Sequence, residues 1–184
     1  MAKSTYSSTK TRNIVATAVF TALAFVCTLV FHFKAGFLSF DLKDSVMAVG
    51  AMMLGSGYGL AMTLVVSIIE AVTISETGIY GFIMNVLSST AFVCIGSIIY
   101  SRKRTLKRAI VAMCASVVAM VAVMLVANLL ITPFYMGVSA TDIAAMIPTL
   151  FLPFNFVKGV FNASVAFMIY RPVQSALSGA GFTK

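Results

Sequence analysis

The chain has 184 residues, of which 60% are hydrophobic and only 10% are charged, and its mean hydropathy is +1.03. One domain of this length cannot hide so much apolar surface from water, so the composition excludes a soluble globular protein. The net charge of +8 forms no nucleic-acid-binding face and is typical of membrane topology signals instead. We therefore expect a single integral-membrane domain over residues 1–184.

Six apolar segments follow one another along the chain and predict an all-α, polytopic membrane bundle. They cover residues 13–31, 44–56, 58–74, 80–100, 109–131 and 147–170. The second and third are shorter than the roughly 20 residues of a full crossing, so they are either tilted or joined as a broken hairpin. The run Gly55-Ser-Gly-Tyr-Gly59 predicts the turn between them.

The distribution of charge supports six crossings. Ten of the 13 basic residues then fall on one side of the membrane, Lys34 and Lys43 fall on the other, and Lys158 lies within it. Because basic residues concentrate in cytoplasmic segments, both termini and the basic loop 102–108 are predicted to be cytoplasmic. The acidic residues lie at or near the opposite side, where we expect a polar cavity that opens outward: Asp41, Asp44, Glu70, Glu76 and Asp142.

Lys158 lies inside the sixth apolar segment, where a charge costs roughly 2.5–3.5 kcal/mol. Asn155 precedes it by three residues and Asn162 follows it by four, so at 100° per residue the three side chains lie within about 60° on one helical face. This polar stripe indicates that a polar molecule binds inside the bundle. The alternative is structural: Lys158 pairs with Glu70, and Asn155 satisfies carbonyls that Pro153 leaves free.

Several motifs, taken in order, resemble those of a known family. The block Phe37-Leu-Ser-Phe-Asp41-Leu-Lys-Asp-Ser-Val-Met-Ala-Val-Gly50, continued by Met53-Leu-Gly55-Ser-Gly-Tyr-Gly59, resembles the first loop and second helix of the S components of energy-coupling factor (ECF) vitamin transporters. The run Leu152-Pro-Phe-Asn155-Phe-Val-Lys158-Gly159 is similar to the final-helix motif of the riboflavin-specific S components. The pairs Thr77-Gly78 with Gly81, and Asn128 with Pro133-Phe-Tyr135, fit the same order and spacing.

The resemblance implies a multi-pass protein of the bacterial cell membrane that captures riboflavin outside and delivers it through an ATP-driven ECF complex. Its partners would be a transmembrane coupling protein and two cytoplasmic ATPases. The chain has no Gly-x-x-x-x-Gly-Lys-Ser/Thr loop for ATP, and we expect no enzymatic activity, no metal and no cofactor apart from the transported flavin. The residues expected to bind riboflavin are Asp41, Gly78, Asn85, Asn128, Asn155 and Lys158.

These candidates have chemical reasons and structural alternatives. The amide of Asn155 and the ammonium of Lys158 match flavin carbonyls and ring nitrogens, and the other polar candidates offer partners for the ribityl hydroxyls. Alternatively, Asp41 or Asp44 caps the second helix, Asn128 caps the fifth, and Gly78 is a plain turn glycine. One or two of the outer aromatic residues are expected to face the flavin ring: Phe37, Phe40, Tyr80, Phe134, Tyr135, Phe151 and Phe154.

Ala18 and Ala22 form a small-xxx-small face on the first helix, which Ala24 extends. In ECF S components such a face contacts the coupling protein, and the alternative is packing within the bundle. Three rival functions are a free-standing carrier, a membrane enzyme and an S component for another vitamin. The first would show internal repeats and the second a catalytic cluster. The sequence shows neither, so the third is the main alternative.

Overall fold

The computed structural model describes residues 2–31, 33–35, 38–74 and 77–179. Seven α-helices and one short antiparallel hairpin follow in chain order within these residues: α1 (Ala2–Val30), β1 (Phe33–Ala35), β2 (Leu38–Phe40), α2 (Lys43–Leu54), α3 (Ser56–Thr73), α4 (Gly78–Ser101), α5 (Leu106–Met136), α6 (Ala140–Met146) and α7 (Leu152–Gly179). A π-helical turn, Ile147–Phe151, joins α6 to α7. The predicted all-α bundle is confirmed, and each of the six predicted segments overlaps a helix.

Five helical stretches of the described chain are long and apolar enough to cross a membrane: Thr9–Val30, Ser56–Thr73, Gly78–Ser101, Leu106–Met136 and Ala140–Gly179. Many of their large apolar side chains point outward, as expected for a surface that faces lipid. The second predicted segment forms α2, which has 12 residues and a length of about 18 Å, well below a membrane thickness of about 30 Å. Ten of its 12 residues are buried, so α2 forms the centre of the bundle.

Close packing around α2 depends on glycine at two positions. A Cβ on Gly50 would lie 2.8 Å from Phe20 Cγ of α1, and a Cβ on Gly59 would lie 2.6 Å from Ala51 Cβ of α2. Both distances are shorter than a van der Waals contact, so only glycine allows α1 and α3 to approach α2 this closely. The predicted five-residue turn at this corner is wrong in extent, because Gly55 (φ +116°) alone separates α2 from α3.

The β-hairpin was not predicted from the sequence. Phe33 pairs with Phe40, and Ala35 pairs with Leu38. The ring of Phe40 contacts Phe161 of α7, with 5.2 Å between the ring centroids. This contact fixes β2 against α7 and so determines where the segment between β2 and α2 lies.

A polar contact ties α4 to α7 at the end of the bundle opposite the hairpin. Tyr100, on the last turns of α4, and Tyr170 of α7 are both buried, and their hydroxyl oxygens are 2.7 Å apart. Their rings meet edge to face, with centroids 5.7 Å apart. At the end of the bundle that is predicted to face outward, Asp142 forms a capping box with Ser139 at the start of α6, so this acidic residue serves helix capping and does not line the cavity described next.

Candidate functional site

A cavity of about 520 Å³ lies at the end of the bundle that is predicted to face outward. Small-molecule sites typically measure roughly 300–1,000 Å³. Residues of α1, β2, the start of α2, α3, α4, α5 and α7, and of the segment between β2 and α2, form its wall. Five of the six residues predicted to bind ligand lie together on this wall: Asp41, Asn85, Asn128, Asn155 and Lys158.

The cavity extends along the helix axes. Its lining runs from Ser67 on α3 to Ile74, which directly follows that helix, and from Tyr80 to Ser88 on α4. At 1.5 Å per residue, these stretches span about 10 and 12 Å. α3 ends and α4 begins at the same end of the bundle, so Ile74 and Tyr80 lie at the mouth, whereas Ser67 and Ser88 form the floor.

Lys158 is buried, with 7% of its surface exposed. Its Nζ lies 3.0 Å from Asp41 Oδ2 and donates to the carbonyl oxygen of Ser39 at 3.2 Å. The structural alternative, in which Lys158 pairs with Glu70, is therefore wrong. The physical reason is the contact of Phe40 with α7, which brings the segment after β2, with Asp41, to Lys158.

Glu70 pairs instead with Lys43, whose Nζ lies 2.5 Å from Glu70 Oε2. Thr28 Oγ1 donates to Glu70 Oε1 at 2.9 Å, and the amide of Asn85 donates to Oε2. Lys43 also donates to Asn85 Oδ1 at 2.6 Å and lies 3.6 Å from Asp41 Oδ2. Because Asp41 contacts both Lys43 and Lys158, all these side chains form one polar network. The network follows the cavity wall from α1 to α7.

Sequence reasoning missed Lys43. It was counted as an outer-side topology charge, yet only 2% of its surface is exposed. The available signal was its position: Lys43-Asp44-Ser45 begins an apolar segment, where a charge needs a partner just as Lys158 does. Other polar lining residues that were missed carry hydroxyl groups: Thr28, Ser67, Ser88 and Thr132.

The charges of the described residues on the cavity wall balance. The lysines Lys43 and Lys158 face the carboxylates of Asp41 and Glu70. A third carboxylate, Asp44, is fully buried outside the lining and accepts a hydrogen bond from Ser89 Oγ at 2.6 Å. A low-dielectric site whose lysines already have carboxylate partners favours an uncharged ligand over an anion, because an added negative charge would lack a partner.

Two asparagines face the cavity from α5 and α7, and both are almost fully buried. Asn128 Nδ2 donates to the carbonyl oxygen of Met124 at 2.7 Å, and its Oδ1 accepts from Thr132 at 3.0 Å. Asn155 Nδ2 donates to the carbonyl oxygen of Phe151 at 2.7 Å. Asn128 does not cap α5, because that helix continues to Met136.

Asn162, the third member of the predicted polar stripe, is used inside the protein. Its Oδ1 accepts from the backbone N–H of Ser45 at 3.0 Å, and its Nδ2 donates to the carbonyl oxygen of Asp41 at 2.9 Å. Asn162 therefore caps the start of α2 from a different helix. The alternative that Asp41 or Asp44 caps α2 is wrong, since the N-cap is Leu42 and no side-chain cap bond forms there.

Aromatic side chains concentrate at the mouth of the cavity. Tyr80 and Tyr135 lie on α4 and α5 with ring centroids 6.4 Å apart, and Phe82 and Phe154 also contribute to the lining. Of the other predicted aromatics, Phe151 is buried away from the lining, Phe134 is 76% exposed, and Phe40 packs on Phe161. Phe37 lies outside the described residues, as do His32 and Glu76.

Three further predicted residues lie away from the cavity. Gly78 begins α4 with φ +57°, a left-handed conformation that favours glycine, but it is not part of the lining. Ala18 and Ala22 are exposed on the outer face of α1. Their expected extension by Ala24 is wrong, because Ala24 is fully buried and faces the bundle. Among the described residues, no group of three or more His, Cys, Asp or Glu is arranged to hold a metal ion.

A membrane bundle with a charge-balanced polar cavity at one end defines a membrane protein that binds a small polar molecule. Residues 12–170 match the family model described as "ECF transporter, substrate-specific component". The match spans most of the chain, so the protein belongs to this family. It is a transport subunit, not an enzyme, and it captures a substrate for the ECF transmembrane and ATPase components.

The fold is also similar to a solved structure of the S component of a bacterial ECF transporter. The TM-score is 0.76 and the sequence identity is 22%, and the match covers 91% of this chain and 98% of that chain. A comparison with curated proteins gives no match. The structural likeness therefore supports the bundle fold, and the family model supports the transport role.

Proposed function

We propose that this protein is a riboflavin-specific S component, which captures the vitamin outside a bacterial cell and passes it to the coupling protein and two ATPases. The observation that carries the proposal is the motif Phe154-Asn-Phe-Val-Lys158-Gly159. Its Asn155 and Lys158 line the cavity together with Asn128 of the facing helix. The motif resembles that of riboflavin-specific S components, and its polar members face the space where a substrate would bind.

The chemistry of the wall suits an uncharged flavin. The amides of Asn128 and Asn155 and the ammonium of Lys158 match the carbonyls and ring nitrogens of an isoalloxazine. The aromatic mouth offers flat apolar surface to the ring system, and the polar network offers partners for ribityl hydroxyls. The balanced charge of the wall favours riboflavin, which is neutral, over an anionic vitamin.

The position of the cavity supports capture from outside. Residues 102–108, which form the connection from α4 and the first turn of α5, hold five basic residues. The cavity mouth lies at the other ends of these helices, where α4 begins and α5 finishes. Because basic loops stay in the cytoplasm, the mouth faces the outer side.

The exposed face of α1 supports a partner interface at Ala18 and Ala22. Both side chains point away from the bundle, which leaves them available to a second membrane protein that needs close approach. Replacing Ala22 with Trp is expected to prevent co-purification with the coupling protein and to leave substrate affinity unchanged. Val118→Trp, a matched change at an exposed site on α5, should leave co-purification intact, and equal effects of the two variants would contradict this interface.

Spectroscopy of the purified protein in detergent tests the choice of substrate. We expect it either to carry a flavin absorption spectrum or to quench the fluorescence of added riboflavin at nanomolar concentration. Asn155→Leu should weaken this binding, whereas Asn13→Leu, on α1 and away from the lining, should not. A protein that shows no flavin spectrum and no quenching, but binds another vitamin, would refute the riboflavin assignment and leave the family unchanged.

A further inference from the structure

We infer that the floor of the cavity is a hydroxyl-binding subsite, in which Ser67 and Ser88 hold the ribityl chain of riboflavin while the ring system lies nearer the mouth. The inference rests on the proposed function and adds the direction in which the ligand enters. It also adds two specificity residues, Ser67 and Ser88, that the sequence did not single out.

Ser67 gives the strongest indication. Only 1% of its surface is exposed, it lines the cavity, and its Oγ has no hydrogen-bond partner among the described residues. A buried hydroxyl without a partner costs about 1–3 kcal/mol. The buried hydroxyl of Thr63 on the same helix avoids this cost by donating to the carbonyl oxygen of Gly59, four residues earlier. The hydroxyl of Ser67 does not, so it remains available to a ligand group.

The surroundings of Ser67 suit a chain of hydroxyl groups. Ser88 on α4 is also buried and faces the same floor. Glu70 and Asn85 lie three residues from Ser67 and Ser88 along their helices, one turn nearer the mouth. A polyol that descends past them meets carboxylate, amide and hydroxyl groups in succession, and each of these can accept or donate a hydrogen bond.

The mouth has the opposite character. Tyr80, Tyr135, Phe154 and Ile74 provide aromatic and apolar surface there. Riboflavin has the same division, with a flat aromatic ring at one end and hydroxyl groups at the other. Binding with the hydroxyl chain toward the floor places each half against matching surface, whereas the reverse orientation would place the ribityl hydroxyls against the aromatic and apolar side chains of the mouth.

The test compares riboflavin with lumiflavin, which has the same ring system but a methyl group in place of the ribityl chain. The double variant Ser67→Ala/Ser88→Ala is titrated with each flavin by fluorescence quenching. We expect its riboflavin affinity to fall roughly tenfold, as for the loss of one or two hydrogen bonds, and its lumiflavin affinity to stay within about twofold of the parent protein. Retained lumiflavin binding also shows that the variant is folded.

Ser116→Ala is the matched control. Ser116 is a fully buried serine whose Oγ also has no partner among the described residues, but it lies outside the cavity lining. It should leave both affinities unchanged. Equal losses for the two flavins in the double variant, or no loss for riboflavin, would overturn the subsite. Failure of the parent protein to bind riboflavin would instead refute the proposed function, so the two failures are distinguishable.

Discussion

The buried pair Lys43–Glu70 provides the sharpest test of the polar network. Lys43→Met removes the ammonium 2.5 Å from Glu70 Oε2 and leaves a carboxylate with 7% of its surface exposed. Removing one partner of a buried ion pair costs about 3–5 kcal/mol. Thr28 and Asn85 still donate to Glu70, so we expect a somewhat smaller loss, about 2–4 kcal/mol.

Thermal unfolding in detergent, without ligand, measures this loss. At about 2–4 °C per kcal/mol for a chain of this size, the Tm of Lys43→Met should fall by roughly 4–16 °C. Adding Glu70→Gln removes the carboxylate that has lost its lysine partner, and it should restore at least half of the lost Tm. Lys107→Met, at an exposed position in the first turn of α5, should leave the Tm unchanged. A Tm of Lys43→Met within about 2 °C of the parent, or no recovery in the double variant, would refute the reasoning.

Three other predictions follow from contacts in the bundle. Lys158→Met should weaken riboflavin binding at least tenfold, about 1.4 kcal/mol, in a quenching titration; unchanged affinity would limit Lys158 to a structural role. Gly59→Ala should lower the Tm, since its Cβ would lie 2.6 Å from Ala51 Cβ and overpacking costs about 1–3 kcal/mol. Gly57→Ala, with nothing within 4 Å, should raise it slightly, and the same sign for both would contradict the packing argument. Tyr100→Phe should cost about 1–3 kcal/mol by removing the partner of Tyr170, and a double Phe variant should recover most of that loss in the same assay.

Hydropathy and helical periodicity are sufficient to predict the helical bundle and the residues of one wall of the cavity. A charge in an apolar segment must face the protein interior, so Lys158 and the residue one turn before it, Asn155, were correctly placed facing inward. Periodicity identifies which residues share one face of a helix, but it does not show which neighbouring element each of these residues contacts. Asn162 shares that face, yet at its depth the neighbour is the start of α2, so it bonds to Ser45 and Asp41.

The ion pairs could not be derived from the sequence. Which carboxylate meets Lys158 depends on how β2 folds onto α7, and that depends on a ring contact between Phe40 and Phe161, 121 positions apart. Counting lysines by side of the membrane also treats every charge near a segment end as a loop charge. Lys43 begins a helix that is buried on all sides, so the count assigned a core residue to the surface.

The short central helix has a consequence for how the protein is made. With 12 residues and a Lys-Asp-Ser start, α2 is a poor substrate for independent insertion by the translocation machinery. Its first turn is completed by Asn162, which is synthesised 117 residues after Ser45. The emerging chain must therefore hold α2 beside α1 and α3 until α7 arrives, and ribosome-bound chains that stop before α7 should remain sensitive to proteases and quality-control factors. Biogenesis of this subunit is then completed at its C-terminal end.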